Sequence, residues 1–291
     1  MRSFEEYRET VNEALLPALR SAGPMPEKLE ESMAYSLAAG GKRLRPVLLL
    51  ASCETAGGNS DEAMPFACAV EMIHTYSLIH DDLPALDNDD LRRGKPTNHV
   101  KFGEAGAILA GDGLLNTAAE IMARAAVQMN DTRGIRAMAC IMRHAGVSGM
   151  IGGQSVDVAS EKMEPTEEIV TYIHRHKTAD LLEAAVEAGM ILAGASQEMT
   201  ESGRQFARHY GMAFQMTDDL LDVTGDAKLM GKNTGMDAEQ KKMTWVSLKG
   251  LEKTRKDAEN EVRLAFEALD RLPWDMSIHR ELTGSLIDRK Y

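Results

Sequence analysis

The chain has 291 residues, with 45 Asp and Glu against 33 Lys and Arg, for a formal charge of −12. That length holds one large domain or two modest ones with a sizeable core, and 44% apolar residues exclude a disordered chain. The acidic surplus argues against general nucleic-acid binding, which demands a basic face, and points to solubility or cation binding.

In chain order, nearly every segment reads as helix. Met1-Arg2-Ser3-Phe4-Glu5-Glu6 turns acidic at once and has no apolar h-region. No stretch approaches the ~18 consecutive apolar residues of a membrane span, so a cytoplasmic protein without a stable membrane anchor is expected. Gly40-Gly41, Gly57-Gly58 and Gly225 stand where helices should stop. Phe66, Ala69, Val70, Ile73, Ser77 and Leu78 recur at helical spacing, with Asp61 available as an N-cap. Glu167 to Leu192 forms a long Ala/Leu/Glu-rich run with Pro165 near its start, and Arg204 to Val223 forms another.

Sustained period-2 alternation is missing and aromatics are only 5%, so no sheet is expected. Cys53, Cys68 and Cys140 have no C-x-x-C spacing and fit a reducing compartment. The 19 methionines read as core packing. The expectation is one all-α domain over residues 1–291, a bundle of roughly ten helices.

Two acidic clusters carry the densest chemistry. The first runs Asp81-Asp82-Leu83-Pro84-Ala85-Leu86-Asp87-Asn88-Asp89-Asp90. Pro84 disfavours helix at Leu83, so a loop could fold Asp87 back beside Asp81. The second is Asp218-Asp219-Leu220-Leu221-Asp222, where Asp218 and Asp222 share one helical face. Both lie near the C-terminal ends of apolar helices, where the helix dipole disfavours negative charge. Hard carboxylate oxygens placed so suit Mg²⁺ held jointly with substrate phosphates. An EF-hand fails, because counting from Asp87 the sixth position is Arg92 rather than Gly.

Cations flank these clusters. Gly40-Gly41-Lys42-Arg43-Leu44-Arg45-Pro46 is no P-loop, since Ser36 stands where the first Gly belongs and Arg43 follows the Lys. Arg92-Arg93-Gly94-Lys95 follows the first cluster and Gly231-Lys232 the second. Arg forks bind phosphate directly, whereas carboxylates reach it only through a metal. A diphosphate can therefore be held in two ways.

Together these residues resemble the trans-isoprenyl diphosphate synthase family, most of all its short-chain bacterial farnesyl diphosphate synthases. His74-Thr75-Tyr76-Ser77-Leu78-Ile79-His80-Asp81-Asp82-Leu83-Pro84, continuing through Leu91 to His99, resembles the first aspartate-rich motif. Gly211 to Asp222 resembles the second. Gly41 to Pro46, His176-Lys177-Thr178 and Gly231-Lys232-Asn233-Thr234-Gly235 are similar to three further motifs, in the family's order.

The resemblance implies the isoprenoid synthase fold, with helices around a central active-site cavity. It implies that Asp81, Asp82, Asp87, Asp218, Asp219 and Asp222 hold about three Mg²⁺ ions on an allylic diphosphate. Arg92, Lys177 and Lys232 would bind that diphosphate directly, and Lys42, Arg45, His74 and Arg93 would bind isopentenyl diphosphate without metal. Thr178 and the carbonyls of Lys177 and Gln215 would face the developing cation. The implied chemistry is ionisation, condensation and elimination, with charge stabilised on departing pyrophosphate.

Tyr76 precedes Asp81 by five residues, roughly 7.5 Å along a helix. With Ser77 it is placed to floor the pocket, and a C15 farnesyl product from dimethylallyl and geranyl diphosphates is expected. Geranyl or geranylgeranyl diphosphate synthesis is the alternative. A class I terpene cyclase is disfavoured by Asp218-Asp219-x-x-Asp222 together with Gly41-Lys42-Arg43, and a non-catalytic synthase subunit by both intact clusters. A homodimer is expected from the family.

Overall fold

The computed structural model describes residues 2–161, 163–224 and 243–287. Gly225, Lys232 with its Gly231–Gly235 motif, and the terminal Arg289-Lys290-Tyr291 lie outside the described residues. Residue contacts divide the chain into two compact units, Met1–Ile141 with Ala188–Gly194, and Met142–Glu187 with Ala195–Tyr291.

The first unit opens with α1 (Phe4–Arg20), started by a capping box in which the Ser3 and Glu6 side chains exchange bonds with each other's backbone N–H. Tyr7, Val11, Leu15 and Leu19 repeat every four residues and are all buried. α2 (Glu27–Leu37) follows, then α3 (Leu44–Thr55), buried continuously from Pro46 to Cys53. α4 (Ser60–Asp81) packs against α3 and against α6 (Glu104–Gln128). The N-cap of α4 is Asn59, whose side chain accepts from the Asp61 N–H, so Asp61 is the capped residue and not the cap. Every residue of α4 from Phe66 to Ile73 is buried, so the helix is covered on all faces there and lies inside the unit.

The expectation of no sheet fails at one small place. β1 (Leu91–Arg92) and β2 (Lys95–Pro96) form an antiparallel ribbon, joined by Arg93-Gly94 and followed by α5 (Asn98–Phe102). Arg93 and Gly94 both have positive φ, 54° and 73°, as a two-residue hairpin turn of the I′ type requires. Two residues per strand are too few for alternation to register in the sequence.

α7 (Arg133–Ala145) and α10 (Asp180–Ala193) each carry the chain from one unit to the other. In the second unit, α8 (Met150–Ser160) is followed by α9 (Glu167–Ile173), which Thr166 caps through its side chain. The run from Glu167 is helical as expected, but residues His174–Ala179 form a π turn between α9 and α10. α11 (Gln197–Thr224) begins seven residues before the expected Arg204 and packs along α13 (Leu251–Leu269). Short α12 (Trp245–Lys249) and terminal α14 (Ser277–Ser285) complete the described elements. Met212, Met216 and Met243 pack with Val170, Ile173, Trp245 and Ala258 in one apolar cluster, as the core reading of methionine requires. Among the described residues no helix is long and apolar enough to cross a membrane.

His279 in α14 is fully buried, edge-on to Phe206 at 5.5 Å. Burial lowers its pKa from 6.5 to about 4. The unfolded chain therefore binds the extra proton first, so this contribution to stability is full above pH 6.5 and is lost as pH falls toward about 4. The change is about 3 kcal/mol at most. Thermal melts between pH 4 and 7 are expected to show it, and His279→Gln to flatten that part of the profile.

Candidate active site

In the first unit the geometry is set by how α4 ends. The helix stops at Asp81, and the chain then turns on itself: Leu86 and Asn88 N–H both donate to the Leu83 carbonyl, at 2.9 and 3.1 Å. Asn88 takes φ 52°, a left-handed conformation that Asn tolerates better than most residues. The return brings the Asp87 N–H to 2.9 Å from the Asp81 carbonyl oxygen. Asp87 thus folds back on Asp81, as the spacing around Pro84 predicts. Both carboxylates are half-buried.

Asp82 points elsewhere. It is buried, and Arg92 Nε donates to its two oxygens at 2.7 and 3.0 Å while the Arg92 Nη2 lies 2.5 Å from Oδ1. Burial pushes the Asp82 carboxyl up, and Arg92 opposes that shift. This bidentate pair anchors the hairpin to the end of α4. Arg92, expected on a diphosphate, is thus also a structural partner of Asp82.

Arg93, next along the hairpin, is exposed and donates to the Gly40 carbonyl. Its guanidinium lies so close to Gly41 that a Cβ there would sit 2.6 Å from it. The Gly40-Gly41 pair is therefore a seat for Arg93 as well as a helix stop. Lys42 is exposed and Arg45 half-buried, whereas Arg43 between them turns inward with φ 52°. Arg43 donates to Asn12 Oδ1 (2.9 Å), Glu71 Oε1 (2.6 Å) and the Leu37 carbonyl (2.7 Å), tying three helices together. Half-buried His74 is one turn beyond Glu71 on α4. Its pKa is held well below 6.5, first by burial and then by Arg45, Arg93, Arg92 and Arg43, so it is a neutral imidazole. Four arginines thus lie around this one imidazole.

Tyr76 is buried and meets the His80 ring edge-on at 5.8 Å. Ser77 turns its hydroxyl back to the His74 carbonyl at 2.9 Å. These contacts place both side chains on α4 and leave their effect on product length to function.

In the second unit the expected site residues Lys177 and Thr178 lie on the π turn. A π turn inserts an extra residue into a helix and commonly marks a functional site. Two glycines let neighbouring backbones reach it: a Cβ on Gly153 of α8 would sit 2.2 Å from the Lys177 nitrogen, and one on Gly211 of α11 would sit 2.5 Å from Ala179 Cβ. Lys177 Nζ lies 2.6 Å from Asp157 Oδ2 on α8. Thr178 Oγ1 donates to Gln215 Oε1 at 2.7 Å, and Gln215 Nε2 donates to Asp219 Oδ1 at 3.1 Å. Asp219 is buried and its other oxygen accepts the Trp245 N–H at 2.7 Å. Asp218 is half-buried and Asp222 buried, one helical turn apart on α11.

The amino-acid spacing thus foresaw the groupings around Asp81 and around Asp218. It missed Asp157, Gly153, Glu71 and the inward role of Arg43. Only the Gly152-Gly153 pair offered a local signal, as glycines inside an otherwise helical stretch.

The family model for polyprenyl synthetase matches residues 26–271. The chain belongs to that family. It is therefore a prenyltransferase, and the all-α architecture agrees. It is 49% identical over 276 residues to the heterodimeric geranylgeranyl pyrophosphate synthase large subunit 1 of Arabidopsis thaliana, covering 92% of this chain and 74% of the relative. It is 45% identical to the geranylgeranyl diphosphate synthase of Cyanophora paradoxa, covering 91% and 88%. Among solved structures, the geranyltransferase of Helicobacter pylori, complexed with magnesium and isoprenyl diphosphate, superposes with a TM-score of 0.83 at 31% identity, covering 99% and 97%.

For a hard divalent cation the donor chemistry fits. Asp81 and Asp87 in the first unit, and separately Asp218 and Asp222 in the second, offer carboxylate oxygens, the ligand type such ions take. Asp82 and Asp219 both accept hydrogen bonds from the protein.

Two outcomes follow from this geometry. Asp81→Ala is expected to keep the helical circular-dichroism spectrum and abolish prenyl transfer; near-normal turnover would remove Asp81 from the site. Gly153→Ala must displace the backbone at Lys177, costing about 1–3 kcal/mol, and is expected to lower both the melting temperature and kcat.

Proposed function

We propose that this synthetase makes geranylgeranyl diphosphate by successive head-to-tail additions of isopentenyl diphosphate to allylic diphosphates. The reading is carried by the relatives of 45 to 49% identity named geranylgeranyl synthases, which also share most of the chain's length. They favour the C20 alternative over the C15 product expected from Tyr76. Tyr76 is better read as one wall of the chain pocket, braced by His80, than as the floor that stops growth at C15.

In this reading Lys42, Arg45 and Arg93 hold isopentenyl diphosphate, with neutral His74 as a hydrogen-bonding partner. Its neutrality matters, because an imidazolium among four arginines would add to their mutual repulsion. Arg92, Lys177 and Lys232 hold the allylic diphosphate. Lys177 would exchange its Asp157 contact for phosphate oxygen. Magnesium, held by Asp81, Asp87, Asp218 and Asp222 with Asp82 and Asp219 orienting them, would supply charge stabilisation to the leaving group. Thr178 and the backbone carbonyls of Lys177 and Gln215 would turn partial negative charge toward the developing carbocation. Pyrophosphate itself can take the proton lost in the elimination, so no dedicated side-chain base is required. We further propose one functional domain spanning the two compact units, a cytoplasmic homodimer.

The test is an incubation with Mg²⁺, dimethylallyl diphosphate and labelled isopentenyl diphosphate, followed by dephosphorylation and chromatography. Geranylgeraniol is the expected end product. Farnesol as the end product would restore the C15 reading, and absence of any prenyl alcohol would overturn the activity.

A further inference from the structure

His174 opens the π turn and is 3% exposed. Its Nε2 lies 3.2 Å from Asp219 Oδ2, the oxygen that also accepts the Trp245 N–H. The other Asp219 oxygen receives Gln215 Nε2, and Gln215 Oε1 receives the Thr178 hydroxyl. The path therefore leaves the π turn at His174, crosses Asp219 and Gln215 on α11, and returns to the same turn at Thr178. Such a ring over-determines its members. The Gln215 amide cannot flip without placing its oxygen against a carboxylate, and Asp219 cannot rotate without releasing His174 and Trp245 together.

Two further observations bear on the imidazole. Its ring lies 5.7 Å from the Trp245 ring at an interplanar angle of 31°, which fixes the ring plane. Its Nδ1 is buried and has no hydrogen-bond partner among the described residues. A buried N–H without an acceptor is costly, so the proton belongs on Nε2, facing Asp219.

We infer that His174 is a positioning residue that holds Asp219, and through it Gln215 and Thr178, in the arrangement prenyl transfer requires. The inference rests on the synthase reading above. His174 touches no substrate in it: its effect passes through Asp219, as outer partners of functional carboxylates act.

Two substitutions separate donor from filler. His174→Phe keeps a ring against Trp245 and removes the Nε2 donor, whereas His174→Gln keeps an N–H near that position and loses the ring. The expected result is a kcat lower by about 10- to 100-fold in His174→Phe, with KM for isopentenyl diphosphate unchanged, and recovery of most of that loss in His174→Gln. Near-normal kcat in His174→Phe, or no recovery in His174→Gln, overturns the inference. Independently of any variant, ¹⁵N spectra of the wild-type imidazoles are expected to show His174 as the Nε2–H tautomer; an Nδ1–H tautomer would refute it. If the wild-type protein forms no prenyl product, the synthase reading fails, while the tautomer still judges the His174 geometry.

Discussion

Neighbouring residues on an α-helix point about 100° apart, so two consecutive aspartates cannot both face one ligand. Each acidic pair in this protein resolves that conflict alike. Asp81 stays half-buried at the end of α4 while Asp82 turns inward onto the Arg92 fork. Asp218 stays half-buried on α11 while Asp219 turns inward onto Gln215 and the Trp245 N–H. The first pair sits at the C-terminal end of α4, where the dipole works against negative charge. Inward donors compensate at one carboxylate of each pair, so that its neighbour need not be surrendered.

The basic motif follows the same division. Lys42 is exposed and Arg45 half-buried, but Arg43 between them is buried against Glu71 and holds a left-handed backbone. A buried ion pair adds little net stability over an apolar pair, yet losing one partner is severe because the other charge is stranded. Its value here is geometric: α1, α2 and α4 are tied to the residue that stands between Lys42 and Arg45. The π turn repeats the pattern with Lys177 on Asp157 and Thr178 on Gln215.

Much of this was legible from residue order. The helical class followed from periodicity, and the fold-back of Asp87 followed from Pro84, because proline acts on its neighbours locally. The i, i+4 spacing of Asp218 and Asp222 is equally local. The hairpin was not legible, since two-residue strands carry no period, and its turn places Arg93 in a conformation that arginine seldom takes. Nor was the π turn, which depends on tertiary approach: Gly153 and Gly211 permit it from 20 or more residues away. Composition could suggest that the acids bind cations. It could not say which of two adjacent aspartates is turned inward.

The Trp245 amide that completes Asp219's acceptor set comes from a residue 26 positions later in the chain. During synthesis, the carboxylate therefore has its final donor only after residue 245 has been added. Until then an inward-facing charge lacks part of its compensation, and the apolar cluster around Trp245 lacks its largest member. The acidic motif is translated well before it is finished, so a nascent chain ending short of α12 carries these carboxylates without the amide that fixes Asp219.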